Sequence, residues 1–287
     1  MPGVRSRKSL SLYNNLIAKI NLSLIWKVLG TLLAGLLVFV ILSSVTENPP
    51  TANPLPASIA AAQSSCAENG TLQMGNAIGK DGFTIPYQLY LPPCYAQQSP
   101  AAYPVLYLIS TDETIWFETG LGELADRMIQ QKQISPFIII STRTDFSRLE
   151  TLFTDVVDVL VPHVDSSFRT QADRLHRAVA GGSGSADMAS CLVFRYPGLF
   201  ENAGAFAGGW CFSDQELIDA FPADERPRVF MDTGDRDNGV VASMPGWASS
   251  LAENNIQFVM NIGSGNHSFQ YWMSNMEMYL RWWAKSW

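Results

Sequence analysis

Beyond about residue 70 the chain alternates short apolar runs with longer stretches that repeat at helical spacing. Runs rich in β-branched and aromatic residues fall at 71–75, 84–91, 104–109, 136–140, 176–180, 203–207, 228–232 and 257–262, and their length and content predict strands. Helical patterns occupy 115–131, 149–167, 186–196, 243–253 and 268–284. Strands that alternate with helices join by parallel crossovers, so the pattern predicts an α/β fold with a mostly parallel central sheet flanked by helices. The first two strands are separated only by Lys80-Asp81-Gly82, a turn sequence, and predict an antiparallel N-terminal hairpin. In sheets of this kind active residues gather on loops at the carboxyl ends of the strands.

The N-terminal segment follows another rule. Val28 to Val45 carries no charge, and 18 residues at a helical rise reach about 27 Å, enough for a hydrocarbon core of roughly 30 Å. A membrane-spanning helix separate from the folded domain is therefore expected over 28–45. Arg5, Arg7, Lys8, Lys19 and Lys27 precede it without an acid, so residues 1–27 stay cytoplasmic and the rest is exported. A cleaved signal peptide is the competing reading; it would secrete the same domain, but the basic lead is long and no small-x-small site closely follows the apolar run. Residues 46–65, with four prolines, read as an extended linker, and the folded domain is expected over 66–287.

Composition agrees with one packed domain: 47% of residues are apolar and 16% charged. The net charge of −7 includes the basic leader, leaving −12 for the remainder, which is ill suited to a nucleic-acid backbone. In an exported domain four cysteines can pair in three ways. The hairpin would bring Cys66 and Cys94 together at its open end. Cys191 and Cys211 then pair by elimination, unless either is a small buried thiol. Neither spacing matches a zinc site, and three histidines exclude a His-rich metal centre.

The most informative stretch is Arg177-Ala-Val-Ala-Gly-Gly-Ser-Gly-Ser, an apolar strand running into tiny residues and then a helix. Such a turn presents a nucleophilic serine, provided the residues two before and two after it are small; Gly181 and Ser185 meet that requirement around Ser183. Centring the motif on Ser185 would place Asp187 in the crowded position. The base must come from three histidines. His163 falls within a helix and His176 precedes a strand, whereas His267 lies in a Gly/Ser loop after the last strand. The acid that orients it is expected on another strand-end loop, where Asp232, Asp235 and Asp237 occur; Asp237 lies furthest out and Asp235 is next. A calcium loop counted from Asp235 fails, because glycines occupy its fifth and twelfth positions.

The segments Tyr87-Gln-Leu-Tyr-Leu-Pro-Pro-Cys-Tyr, Tyr103-Pro-Val-Leu-Tyr-Leu-Ile, Phe168-Arg-Thr, the serine motif and Gly265-Asn-His with Trp272 together resemble the putative-esterase family, which is similar to enterochelin esterases, feruloyl esterases and mycolyltransferases. The resemblance implies an α/β-hydrolase fold, ester hydrolysis or acyl transfer, no cofactor, and a Ser183, Asp237, His267 triad. The substrate would be a small-molecule, glycan or lipid ester. The family usually has His-Gly after its third strand to supply an oxyanion donor. Here the segment is Ile109-Ser-Thr-Asp, so Ser110 or Thr111 replaces it beside Gly184. Ser185 and Asp187 also depart from the small residues usual in the family. Trp116, Phe117 and Trp210 are candidates for a substrate pocket. The altered loop leaves open a catalytically silent scaffold that acts as a binding module.

Overall fold

The computed structural model describes residues 68–98, 100–144, 148, 151–222 and 225–287. The anchor and linker expected at 28–65, together with Cys66, lie outside the described residues. Among the described residues no helix is long and apolar enough to cross a membrane.

One eight-stranded sheet organises the domain. Its strands are β1 (Thr71–Ile78), β2 (Thr84–Leu91), β3 (Val105–Ser110), β4 (Ile138–Arg143), β5 (Arg177–Gly182), β6 (Asn202–Phe206), β7 (Arg228–Gly234) and β8 (Gln257–Gly263). They lie in the order β1-β2-β4-β3-β5-β6-β7-β8. β1 pairs antiparallel with β2, and β2 antiparallel with β4; every pair from β4 through β3 to β8 is parallel. The expected hairpin and mostly parallel sheet are both present.

The helices are α1 (Ile115–Glu118), α2 (Leu121–Gln130), α3 (Leu152–Thr154), α4 (Val161–Ser167), α5 (Gly184–Arg195), α6 (Gln215–Asp219), α7 (Asn238–Glu253), α8 (Phe269–Ser274) and α9 (Met276–Ala284), with a π-helical stretch, Asp155–Leu160, joining α3 to α4. Two of the expected helices are split. Gly120, at φ 94°, separates α1 from α2, and Asn275 separates α8 from α9. α7 starts five residues before the expected 243 and runs on through Pro245.

Strand alternation explains why the central strands are apolar throughout. Val105, Tyr107 and Ile109 enter one core with Leu192 and Val193 of α5, while Leu106 and Leu108 enter the other with Leu121 of α2 and Trp283 of α9. All five strand residues are fully buried, a gain of roughly 1.5–3 kcal/mol for each aliphatic side chain. This rigid layer fixes the positions of the loops at its carboxyl edge.

Cys191 on α5 is disulfide-bonded to Cys211 in the turn after β6. The bridge ties the helix that follows β5 to the loop that follows the next strand. The other expected pairing involves Cys66, outside the described residues.

Candidate active site

The carboxyl ends of β3, β5, β7 and β8 carry the residues singled out by the sequence. At the end of β5 the chain reverses into α5 through Ser183, whose backbone lies at φ 57° and ψ −129°. L-residues avoid that region, and the turn is held by hydrogen bonds at both of its peptide groups. Ser183 N donates to Phe206 O at 2.8 Å, and Ser183 O accepts from Ala186 N at 2.8 Å. A Cβ on Gly181 would lie 2.6 Å from the carbonyl carbon and oxygen of Ser185. The need for a small residue two before the serine is thus a direct backbone contact. Gly208 on the next loop is equally confined, since a Cβ there would lie 2.6 Å from Ser183 O.

Ser183 O accepts from Ala186 N and Asp187 N, so the preceding N–H of Gly184 lies at the free start of α5. Helix direction and free amides favour negative charge at that point. Across the sheet, the Ser110 hydroxyl is engaged with the backbone of Asp112, accepting from Asp112 N at 3.2 Å. Asp112 Oδ1 in turn accepts from Thr114 N at 2.9 Å and holds its own carboxyl below the usual range. These bonds tighten the loop between β3 and α1 and leave Thr111, exposed at the strand end, as the candidate for a second amide donor.

His267 Nδ1 pairs with Asp237 Oδ2 at 2.7 Å, and the same oxygen accepts from Thr233 Oγ1 at 3.0 Å. The carboxylate side chain is 11% exposed and the imidazole 43%, so the carboxylate sits behind the imidazole. Asp235 has another task. Its Oδ1 accepts from Gly265 N at 3.0 Å, while Asp235 N and Arg236 N donate to Gly263 O and Gly265 O. These bonds stitch the loop after β7 to the loop carrying His267. Among the described residues no hydrogen bond joins Ser183 to His267.

Trp272 bridges the two halves. Its indole occupies the space a Cβ on Gly182 would need and stands edge-on to His267 with ring centroids 5.6 Å apart. The other two histidines are engaged elsewhere, His163 Nε2 with Tyr87 Oη at 3.0 Å and His176 Nδ1 with Asp173 at 2.8 Å.

Two pocket expectations are corrected. Trp116 has 0% and Phe117 4% of its surface exposed. Trp116 packs against Phe269 and Phe206, and Phe117 against Tyr90, so both belong to the core and present no wall to a ligand. Trp210 is 63% exposed and its loop is fixed: Gly209 N and Trp210 N donate to Asp187 Oδ1 at 2.8 and 2.9 Å, and Cys211 N donates to Ser190 Oγ. Asp187, unusual for the family, thus anchors the loop that flanks the serine. Thr233 and Gly208 carried no signal in the sequence pattern, because their contacts are with loops distant in the chain.

The profile of the family described as "Putative esterase" matches residues 82–282. A curated relative, the endo-1,4-beta-xylanase/feruloyl esterase of Xylanibacter ruminicola, is 29% identical over 167 residues. That match covers 52% of this chain and only 22% of the relative. Among solved structures, a ferulic acid esterase superposes with a TM-score of 0.66 at 19% identity, covering 77% of this chain and 100% of its own. The feruloyl esterase module of Clostridium thermocellum, solved with sinapinate, gives 0.65 at 18%, covering 76% and 89%. Fluorophosphonate-binding serine hydrolase F of Staphylococcus aureus gives 0.62 at 15%, covering 76% and 99%. At such identities these structures establish the α/β-hydrolase-like fold. With the family profile spanning most of the chain, the protein belongs to the Putative esterase family.

Proposed function

We propose that the domain cleaves its ester through an acyl-enzyme on Ser183, with His267 as general base and acid and Asp237 as the carboxylate that orients it. The observation that carries this reading is the 2.7 Å pairing of His267 Nδ1 with Asp237 Oδ2 at the strand end beside the strained serine turn. With its proton held on Nδ1, the imidazole keeps Nε2 basic toward Ser183. Ser183 Oγ bonds to the ester carbonyl carbon as its proton passes to Nε2. The oxyanion is met by the N–H of Gly184 and that of Thr111. The alkoxide leaves with the proton from Nε2; water, deprotonated by the same nitrogen, then releases the acid and frees Ser183.

The acyl group we favour is that of a small aromatic acid. The exposed indole of Trp210, on a loop pinned by Asp187 and the Cys191–Cys211 bridge, offers a face for stacking, and the relatives act as feruloyl esterases by name. The alcohol would be a glycan or a small molecule. The domain would act outside the cytoplasm, tethered by a helix over 28–45, a reading supported by the basic leader and by a disulfide of the kind that persists in oxidising compartments. Protease added to intact cells should then remove the domain.

Turnover of methyl ferulate and of p-nitrophenyl acetate by the full chain, beside Ser183→Ala, tests the chemistry. Both esters should be cleaved, the aromatic one with the lower KM, and Ser183→Ala should cleave neither. A folded chain that turns over no ester would leave the fold as a binding scaffold.

A further inference from the structure

Behind the acid and base lies a buried polar cluster that the proposed chemistry does not use. Asp232 on β7 is 1% exposed and forms no ion pair among the described residues. Its Oδ1 accepts from Asn261 Nδ2 of β8 at 2.6 Å and from Tyr271 Oη of α8 at 3.0 Å, and its Oδ2 accepts from Tyr279 Oη of α9. Tyr271 is the branch point. Its single O–H is shared between Asp232 Oδ1 and Thr233 O, the latter at 2.7 Å, and its oxygen accepts from Gly263 N at 3.1 Å.

These two contacts fall on the last turns of chain before the proposed acid and base. Thr233 Oγ1 is the second donor to Asp237 Oδ2, and Gly263 opens the loop that delivers His267. The Tyr271 hydroxyl occupies the Cβ space of Gly263 and its ring that of Gly265, so the start of the His267 loop is packed against this one side chain. One phenol therefore meets β7 where it presents Asp237 and β8 where it presents His267. Tyr279 shares the same buried carboxylate, and among the described residues its hydroxyl is bonded to neither Thr233 nor Gly263.

Resting on the triad reading, we propose that Tyr271, braced by Asp232, is a positioning residue that sets the Asp237–His267 pair. The hydroxyl fixes the separation of the two strand ends, and the ring fixes the path of the loop between them. Loss of the hydroxyl frees Thr233 O and Gly263 N to shift, so Asp237 faces the imidazolium less squarely and stabilises it less.

The test compares Tyr271→Phe with Tyr279→Phe in the full chain. Each keeps its ring and removes one donor to Asp232. In Tyr271→Phe, kcat for p-nitrophenyl acetate should fall about tenfold with KM within twofold, and the His267 pKa, followed by NMR and assigned with His267→Ala, should fall by about half a unit or more. Tyr279→Phe should lose thermal stability while holding both values. Equal effects in the two variants, or an unchanged His267 pKa in Tyr271→Phe, overturn the proposal. Should Tyr271→Phe not fold, Thr233→Val and Thr233→Ser read the next link: the His267 pKa falls in the first and is restored in the second, and equal values in both overturn it. The titration needs no turnover, so an inactive wild type would refute the esterase mechanism while the positioning role is still read from His267.

Discussion

Gly181→Ala is a one-carbon probe of the serine turn. The added Cβ would stand 2.6 Å from the carbonyl carbon and oxygen of Ser185 and 2.8 Å from its Cβ. Ordinary contacts between such atoms are about 3.5–4.0 Å, so roughly an ångström must be found. The contacts are mainly backbone, and α5 cannot simply back away. Cys191 is bridged to Cys211, and Ser190 Oγ accepts from Cys211 N. The strain should fall at the upper end of the usual overpacking cost, about 3 kcal/mol, which for a domain of this size lowers Tm by roughly 6–12 °C. A displacement near 1 Å at the nucleophile should also cost about 100-fold in kcat/KM. Gly239→Ala is the control: a Cβ there meets nothing within 4 Å, and in a helix it should be neutral or stabilising by up to about 1 kcal/mol. Calorimetry and a p-nitrophenyl acetate assay read both variants. A Gly181→Ala protein with the Tm and turnover of the wild type would refute the argument that this crowding shapes the turn.

Removing the bridge in a Cys191→Ser, Cys211→Ser double variant should cost about 3 kcal/mol for a sequence separation of 20, seen as a lower guanidinium midpoint; an unchanged midpoint would contradict it. Burial raises Asp232 above the usual carboxylate range, so the folded chain keeps a proton that the unfolded chain has released. Stability contributed by this group is full below about pH 4 and falls as pH rises toward the raised folded value. Asp232→Asn should flatten that slope in urea midpoints taken from pH 4 upward, and an identical slope would sink the assignment. Trp210→Ala should raise KM for methyl ferulate about fivefold, the worth of an exposed aromatic contact near 1 kcal/mol, and leave p-nitrophenyl acetate unaffected. Equal changes for both esters would remove Trp210 from the acyl site.

The strands were legible because burial on both faces leaves runs such as Val105–Ser110 with no polar residue until the last, a pattern that local composition carries by itself. The helix breaks at Gly120 and Asn275 were harder, since the flanking residues continue the helical spacing. At the proposed site, the tight turn at Ser183 was legible from its small neighbours because the crowding is local. Asp237 could only be ranked above Asp235. Their separation depends on Thr233 holding one carboxylate and Gly265 N engaging the other. Trp116 and Phe117 looked like pocket walls because they follow the β3 loop; whether an aromatic faces solvent or core is decided by packing partners such as Phe206 and Phe269, far along the chain. Asp187 read as a misfit in a crowded motif, and it turns outward to two N–H groups of the loop after β6.

The central claim is that Ser183 is a nucleophile activated by His267. The most direct measurement is fluorophosphonate labelling of the full chain, with the adduct mapped by peptide mass and repeated for Ser183→Ala and His267→Ala. The account predicts one adduct, on Ser183, absent from the first variant and strongly slowed in the second. A folded protein that takes no label, takes it on another serine, or labels equally fast without His267 would contradict it.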